Sequence, residues 1–338
     1  MAKIDIIVPC YNYGRFLSDC VTSILEQPVQ DLRVLIIDDA SQDDTNAVAR
    51  SLVDIDPRVF LISHSQNQGA INTYNEGISW ASADYMMILS ADDRLTPTAL
   101  GRAVTILDGN PDVVLVHGDI IRWGEWENHH PIINYKNDYD YAWSRQEGID
   151  LIYDFCQYAF CLVNTPTVIT RTSVQKLVGG YRRQSLYHTA DLEMWLRVAA
   201  HGAVAHIHVA QAIYRIHEFN MSGPYIAEKW RDCQERKLAF DSFFAEYADR
   251  LPDSQKLQAL ANRSLAERAF WTGLAQLCRG KSEDGRWLLR FAIDHRPRLR
   301  YCPPIIHLTR MPGLYNHLRD VLSDSLKSLT AYTSTKKG

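Results

Sequence analysis

Continuous apolar runs alternate with amphipathic stretches through the first ninety residues, and this alternation sets the elements to expect. Residues 3–8 are mostly apolar and end at Pro9, which predicts a buried strand followed by a loop. Phe16, Leu17, Cys20, Val21, Ile24 and Leu25 recur at helical spacing up to Gln27, with Pro28 just beyond as a stop. Leu32 to Ile37 is a second strand-like run, closed by Asp38-Asp39. Ser41 is placed to cap the next helix, with Asp43 and Asp44 favourable in its first turn. Val59 to Ser63 predicts a third strand, Ile71 to Ser82 a helix, and Tyr85 to Leu89 a fourth strand that runs into Ser90-Ala91-Asp92-Asp93.

Strands and helices alternating at this spacing predict an α/β fold, a Rossmann-like, mostly parallel sheet flanked by helices. Carboxylates fall just after the second and fourth strands, at the edge where open α/β sheets bind ligands. Val113 to Asn164 is rich in Trp and Tyr and predicts strands with an insertion. After Tyr225 the pattern is helical, over Glu228–Tyr247, Ser254–Leu277 and Gly285–Ile293. The expected organisation is an α/β domain over 1–223, then a helical region over 224–330 and a flexible tail over 331–338.

Composition narrows the class. The chain has 338 residues, 46% hydrophobic and 22% charged, which suits a soluble globular protein of about two domains and not a disordered or coiled-coil chain. The formal net charge of −4 argues against nucleic acid as a partner. That total hides an asymmetry, because Arg279 to Gly338 carries twelve basic and five acidic residues while everything before it is acidic overall. Seven scattered cysteines without a Cys-x-x-Cys pair indicate neither a zinc site nor a redox motif, and reduced thiols point to the cytoplasm. No stretch approaches the roughly 18 to 20 apolar residues of a spanning helix, and no secretory signal is expected.

Two adjacent carboxylates at a strand end repel each other, so burying Asp92 and Asp93 calls for a cation or donor in compensation. Mg²⁺ or Mn²⁺ suits this, since such ions need only one or two protein carboxylates when they also bridge substrate phosphates. The plainer alternative is that the pair caps the helix after Pro97. Asp38-Asp39 carries the same ambiguity; a carboxylate there could accept hydrogen bonds from a base or ribose. Neither the Gly-x-Gly-x-x-Gly fingerprint nor the Gly-x-x-x-x-Gly-Lys-[Ser/Thr] loop is present, so phosphate binding through a metal is the more economical expectation.

Ile7-Val8-Pro9-Cys10-Tyr11-Asn12, Ile37-Asp38-Asp39-Ala40-Ser41, Asn67-Gln68-Gly69, Asn75-Glu76-Gly77 and Leu89-Ser90-Ala91-Asp92-Asp93 follow in order, then Asp191-Leu192-Glu193-Met194-Trp195 and Tyr214-Arg215-Ile216-His217 with Met221-Ser222. Over about residues 3–222 this series resembles the family 2 glycosyltransferases. The resemblance implies a GT-A fold, with a nucleotide-sugar half over about 1–97 and an acceptor half over about 98–223, and inverting transfer from a UDP-sugar. It implies Pro9, Tyr11, Asn12, Asp39, Asn67, Gly69, Asn75 and Asp92 for the nucleotide-sugar, Asp93 and His217 for a Mn²⁺ or Mg²⁺ ion, and Asp191 as the catalytic base, with Glu193 in reserve. Ser90 and Ala190 stand where acids are common in the family, which leaves a weak or inactive nucleotide-sugar-binding subunit as one alternative. A sugar nucleotidyltransferase is another, disfavoured by the lack of a Gly-, Arg- and Lys-rich loop near residues 7–15. The implied acceptor is a saccharide or lipid-linked saccharide. The basic stretch Arg286 to Tyr301, interleaved with aromatic residues, is either a packed helix face or a peripheral contact with the inner face of the cell membrane.

Overall fold

A computed structural model of the chain describes residues 3–124, 141–182, 186, 188–220 and 228–309. Most of the insertion before Tyr141, the Met221-Ser222 pair and the polar tail lie outside the described residues. Two compact units are present. The first holds the described residues up to Ile152 together with Leu162–Asn220, and the second holds Tyr153–Cys161 with the described residues from Glu228 onward. The small segment Tyr153–Cys161 was not expected in the helical unit, because no break in composition marks it.

The first unit is built on strands β1 (Ile4–Cys10), β2 (Leu32–Asp38), β3 (Val59–Ser63), β4 (Tyr85–Ile88), β5 (Arg94–Leu95), β6 (Val113–Gly124), β7 (Trp143–Gln146), β8 (Ile169–Arg171) and β9 (Ala203–Ile216). Among the described residues they form one sheet in the order β3-β2-β1-β4-β8-β6-β9-β5, with β7 paired to β9. Pairs β1–β2, β1–β4 and β2–β3 are parallel, as is β6–β9, whereas β8 runs antiparallel to β4 and β6. The central parallel strands β1, β2 and β4 are mostly apolar because helices cover both faces, with Asp5 of β1 paired to Arg33 of β2 at 2.7 Å. Ile4, Ile6, Val8, Val34 and Ile36 pack with Leu17, Val21 and Ile24 of α1 (Gly14–Leu25) and with Leu100, Ala103 and Leu107 of α4 (Ala99–Gly109). Ile7 faces the other way, so close to α3 (Ala70–Trp80) that a Cβ on Gly77 would lie 2.4 Å from its Cγ2. Helix α2 (Thr45–Ile55) starts after Asp44, and Ser41 does not cap it as its position suggested. The remaining helices of the unit are α5 (Gly148–Tyr158), which runs on into the second unit, α6 (Thr172–Val178) and α7 (Ala190–Ala199).

The second unit carries α8 (Lys229–Tyr247), α9 (Ser254–Cys278), α10 (Ser282–His295) and α11 (Ile305–Thr309). Helices α9 and α10 touch through glycines: a Cβ on Gly285 would meet the Gly273 carbonyl at 2.9 Å and Leu277 at 2.6 Å. Leu288 and Ala292 of α10 are buried, while Arg286 and Arg290 face solvent. The apolar face of the basic stretch is therefore occupied by packing. Among the described residues no helix is long and apolar enough to cross a membrane.

Candidate active site

The loops that leave β1, β2 and β4, together with the end of β9, converge at the carboxyl edge of the sheet. Asn12 and Ala40 both adopt left-handed backbone, with φ of 58° and 60°, which folds the first two loops against each other. The Asn12 amide N–H donates to Ser41 Oγ at 2.9 Å, and Asn12 Oδ1 accepts the Gln42 N–H at 2.7 Å. Ser41 is thus engaged in this loop clamp, which explains why it does not serve as a helix cap. Pro9 lies in β1 opposite Ile37, and Tyr11 stands 44% exposed at the rim. Asp38 is structural, accepting the Ser41 N–H and the Asn46 side-chain amide.

Asp39 is buried, and its carboxylate organises the neighbouring loop. Oδ1 accepts the Gln68 N–H at 2.7 Å and meets His64 Nδ1 at 2.7 Å, while Oδ2 accepts the Gly69 N–H at 2.9 Å. Asn67 donates to the Asp39 carbonyl at 3.2 Å. Gly69 has a φ of +86°, a conformation that a side chain would strain, just where its N–H must reach the carboxylate. His64 Nε2 in turn lies 2.7 Å from Glu76 Oε2, so one imidazole bridges two carboxylates. Burial lowers the His64 pKa, but the hydrogen bonds to Asp39 and Glu76 outweigh it and the net shift is upward. A raised pKa means that the contribution of the imidazolium to stability is complete below about pH 6.5 and is lost as pH rises through the folded-state value. Melting curves of the wild type and His64→Gln from pH 6 to 9 should therefore converge as pH rises; a constant gap would contradict the charged bridge. His64 and Glu76 were not singled out from sequence, although His64 follows β3 at the same sheet edge that flagged Asp39.

Asn75 holds the backbone of a distant segment. Its Nδ2 donates to the Tyr181 carbonyl at 2.9 Å and its Oδ1 accepts the Tyr181 N–H at 2.6 Å. With both ends of the amide bonded to backbone, Asn75 latches the segment carrying Tyr181.

The acidic pair divides its tasks. Asp93 is 2% exposed and its Oδ1 accepts the Arg215 N–H at 3.0 Å; burial and the neighbouring Asp92 push its pKa well up, opposed by Arg215. Arg215 lies between Phe16 and Trp123, donates to the Asp92 carbonyl at 3.0 Å and pairs with Asp19 at 2.7 Å. Asp92 Oδ2 instead faces His217 Nε2 at 3.0 Å and Asn220 Nδ2 at 3.3 Å. The expected grouping of Asp93 with His217 is thus replaced by Asp92 with His217, because Asp93 turns inward to the end of β9. Among the described residues no three His, Cys, Asp or Glu side chains are grouped to hold a metal by themselves.

Asp191 occupies the first turn of α7 without capping it, since Thr189 holds the cap position. Its Oδ2 accepts the Thr165 hydroxyl at 2.9 Å. Burial raises the Asp191 pKa, while hydrogen bonds from Thr165 and Tyr181 and the charge of His188 pull it back in part. Glu193 is fully buried two residues on, where Arg197 grips it at 2.9 and 3.0 Å and Arg182 reaches it at 3.1 Å. That ion pair accounts for Glu193 structurally. Tyr74 ties the site together: after burial, the negative charges of Asp191, Asp92 and Asp93 all raise its pKa. The base candidate and the acidic pair are therefore near enough for their charges to be felt at the Tyr74 hydroxyl.

Residues 5–165 match the family model for glycosyl transferase family 2. A glycosyltransferase of Haemophilus influenzae is 25% identical over 230 residues, covering 67% of this chain and 69% of that protein. A Campylobacter jejuni protein named GalNAc(5)-diNAcBac-PP-undecaprenol beta-1,3-glucosyltransferase is 34% identical over 101 residues, 30% of this chain and 33% of its own. The chain thus spans about a third of that relative, as it does of glycosyltransferase GlyG from Streptococcus pneumoniae at 30%. Among solved structures, S. aureus TarS 1–349 in complex with UDP-GlcNAc superposes with a TM-score of 0.56 at 16% identity, over 87% of this chain and 89% of that one. Mannosyltransferase PcManGT from Pyrobaculum calidifontis, in complex with GDP-Man and Mn²⁺, gives 0.52 at 16% over 87% and 86%. At these identities the likeness establishes the GT-A fold. By these matches residues 5–165 carry a domain that matches glycosyl transferase family 2, on a GT-A fold.

Proposed function

We propose that this chain moves a sugar from a nucleoside diphosphate, UDP in preference, to a hydroxyl of a saccharide or lipid-linked saccharide, with inversion at the anomeric carbon. The carrying observation is that Asp92 Oδ2 and His217 Nε2 face each other at 3.0 Å at the carboxyl edge of the sheet, in a chain whose residues 5–165 match glycosyl transferase family 2. The charge of Asp191 is near enough to be felt at the same Tyr74 hydroxyl as that of Asp92. A proton acceptor and a cation-seeking pair around one space are what a single displacement needs. Asp191 takes the proton of the attacking hydroxyl, and its raised pKa brings it closer to that task at neutral pH. Thr165 and Tyr181 hold its carboxyl in place.

A carboxylate offers about four acceptor positions. Asp39 has three filled by His64, Gln68 and Gly69, which leaves one on Oδ2. That position suits a base presenting a ring N–H, as uracil and guanine do and adenine does not. Tyr11, exposed at the rim, is placed to stack on it, with Pro9 and the Asn12 loop as the wall. The UDP-GlcNAc complex of TarS and the GDP-Man complex of PcManGT support a donor of this class.

Asp92 and His217 fit a divalent cation. Their facing atoms are 3.0 Å apart, close to the separation of neighbouring ligands on an ion with bonds of about 2.1 Å. Two protein ligands leave the remaining positions for a diphosphate, as hard cations prefer. Asp93, held by Arg215, fixes the loop. When bound, Mn²⁺ or Mg²⁺ supplies charge neutralisation to the departing diphosphate.

Calorimetry tests the donor site. With Mn²⁺ present, UDP and GDP should bind more tightly than ADP, and Asp92→Asn should weaken UDP about tenfold or more. Equal affinity for ADP would remove the base-pocket assignment, and UDP binding indifferent to Asp92→Asn and to chelator would remove the metal assignment. Donor binding without any sugar transfer or donor hydrolysis would favour the alternative of a binding subunit.

A further inference from the structure

Asp191 and Trp195 stand four residues apart on α7, so the helix places both side chains on one face. Thr165 meets that face. Its hydroxyl oxygen accepts the Trp195 indole N–H at 3.4 Å and lies 2.9 Å from Asp191 Oδ2. An indole N–H only donates, and a hydroxyl has one proton to give. Of the two side chains that Thr165 Oγ1 meets, Asp191 alone can therefore accept its proton. The direction of hydrogen bonding is fixed, from Trp195 through Thr165 to the carboxylate.

Each member of this series is anchored. Thr165 opens a 3₁₀ turn, Thr165–Thr167, that is tied to β6. There the Gly118 N–H donates to Thr167 Oγ1 at 2.9 Å, and Asn164 Nδ2 donates to the Gly118 carbonyl at 2.9 Å. Trp195 is 4% exposed, and its ring meets that of Tyr181 edge-on, with centroids 6.3 Å apart and planes at 79°. Tyr181 rests edge-on against Tyr74 at 5.4 Å, and its backbone is the part that Asn75 latches. We propose that Trp195 is a positioning residue for sugar transfer: by donating to Thr165 it commits the Thr165 proton to Asp191, and so keeps that carboxylate oriented to accept the proton of the attacking hydroxyl. The inference rests on the reading of Asp191 as the base.

Around Asp191 stand Tyr74, Tyr181 and His188, while Arg182 and Arg197 pair with Glu193 on the same helix, and the charges of Asp92 and Asp93 reach Tyr74. Burial pushes both tyrosines up, so they stay neutral where Asp191 titrates. Two measurements test the proposal. The first needs no substrate and no change at Trp195. In chain labelled at the tryptophan indole nitrogens, the wild type should show an indole N–H resonance that shifts as Asp191 titrates. That shift should vanish in Asp191→Asn and shrink in Thr165→Val. The second follows hydrolysis of UDP-GlcNAc against pH with Mn²⁺ present, water standing in for the acceptor. Trp195→Phe should move the acid limb up by about half a pH unit or more, since a hydrogen bond that supports the carboxylate is weakened. In a Thr165→Val background the same change should leave the limb where Thr165→Val alone puts it, because Trp195 acts through Thr165. His188 and the tyrosines are common to both backgrounds and cancel. An indole resonance indifferent to Asp191, or a limb moved equally in both backgrounds, overturns the role of Trp195. A coupled indole in an enzyme whose turnover survives Asp191→Asn instead overturns the reading of the base, and this inference with it.

Discussion

Asp191→Asn is expected to lower sugar transfer by roughly 10²- to 10⁴-fold while leaving donor affinity nearly unchanged. Asparagine preserves the shape and can still accept the Thr165 hydroxyl, so the loss isolates proton abstraction from positioning. The wild-type rate should fall on the acid side at a pH above 3.8, because burial raises the Asp191 pKa. Thr165→Val removes a hydrogen bond that favours the carboxylate, and should move that acid limb further up in pH. Rates of single turnover against pH in both variants check the assignment. An Asp191→Asn enzyme with near wild-type turnover, or a Thr165→Val profile that shifts down, would exclude Asp191 as the base.

Glu193→Gln should be the most damaging single change to stability, at about 3–5 kcal/mol. Both Glu193 and Arg197 side chains are 1% exposed, and loss of the anion leaves the Arg197 guanidinium buried without its counter-charge. Arg197 also donates to the Val178 and Gly180 carbonyls, so its displacement would loosen the segment that Asn75 latches through Tyr181. The fall in melting temperature should be roughly 6 to 20 °C for a unit of this size. The same variant separates the two acids of α7. If Glu193→Gln melts like the wild type but no longer transfers sugar, Glu193 belongs to the chemistry and its ion pair does not define its role.

The parallel half of the sheet was legible because β1, β2 and β4 are buried on both faces and read as mostly apolar runs, broken only by Asp5 and Arg33 before the carboxylates at their ends. The carboxylates at their ends pointed to the site edge for the same reason. What sequence did not show was which partner each polar group meets. Asp92 and Asp93 are adjacent and chemically alike, yet one faces His217 and the other the backbone of Arg215, a choice made by the approach of β9 more than 120 residues away. Asn75 and Ser41 lie within motifs, but long-range backbone contacts claim their side chains. His64 escaped notice because a lone histidine after a strand carries no pattern until Asp39 and Glu76 are seen on either side of it.

Phe160 reaches its cationic neighbours across a long interval of sequence, since Arg236 and Arg268, 4.8 and 5.2 Å from its ring centre, both come later in the chain, on helices that begin at Lys229. On a ribosome adding about 5–20 residues per second, Phe160 emerges roughly 3 to 14 seconds before Lys229. During that wait the sheet can assemble while Tyr153–Cys161 has none of the later helices to pack with. The order of synthesis thus makes the helical unit the last to close, and places a solvent-facing aromatic on the nascent chain where a holding chaperone could grip it.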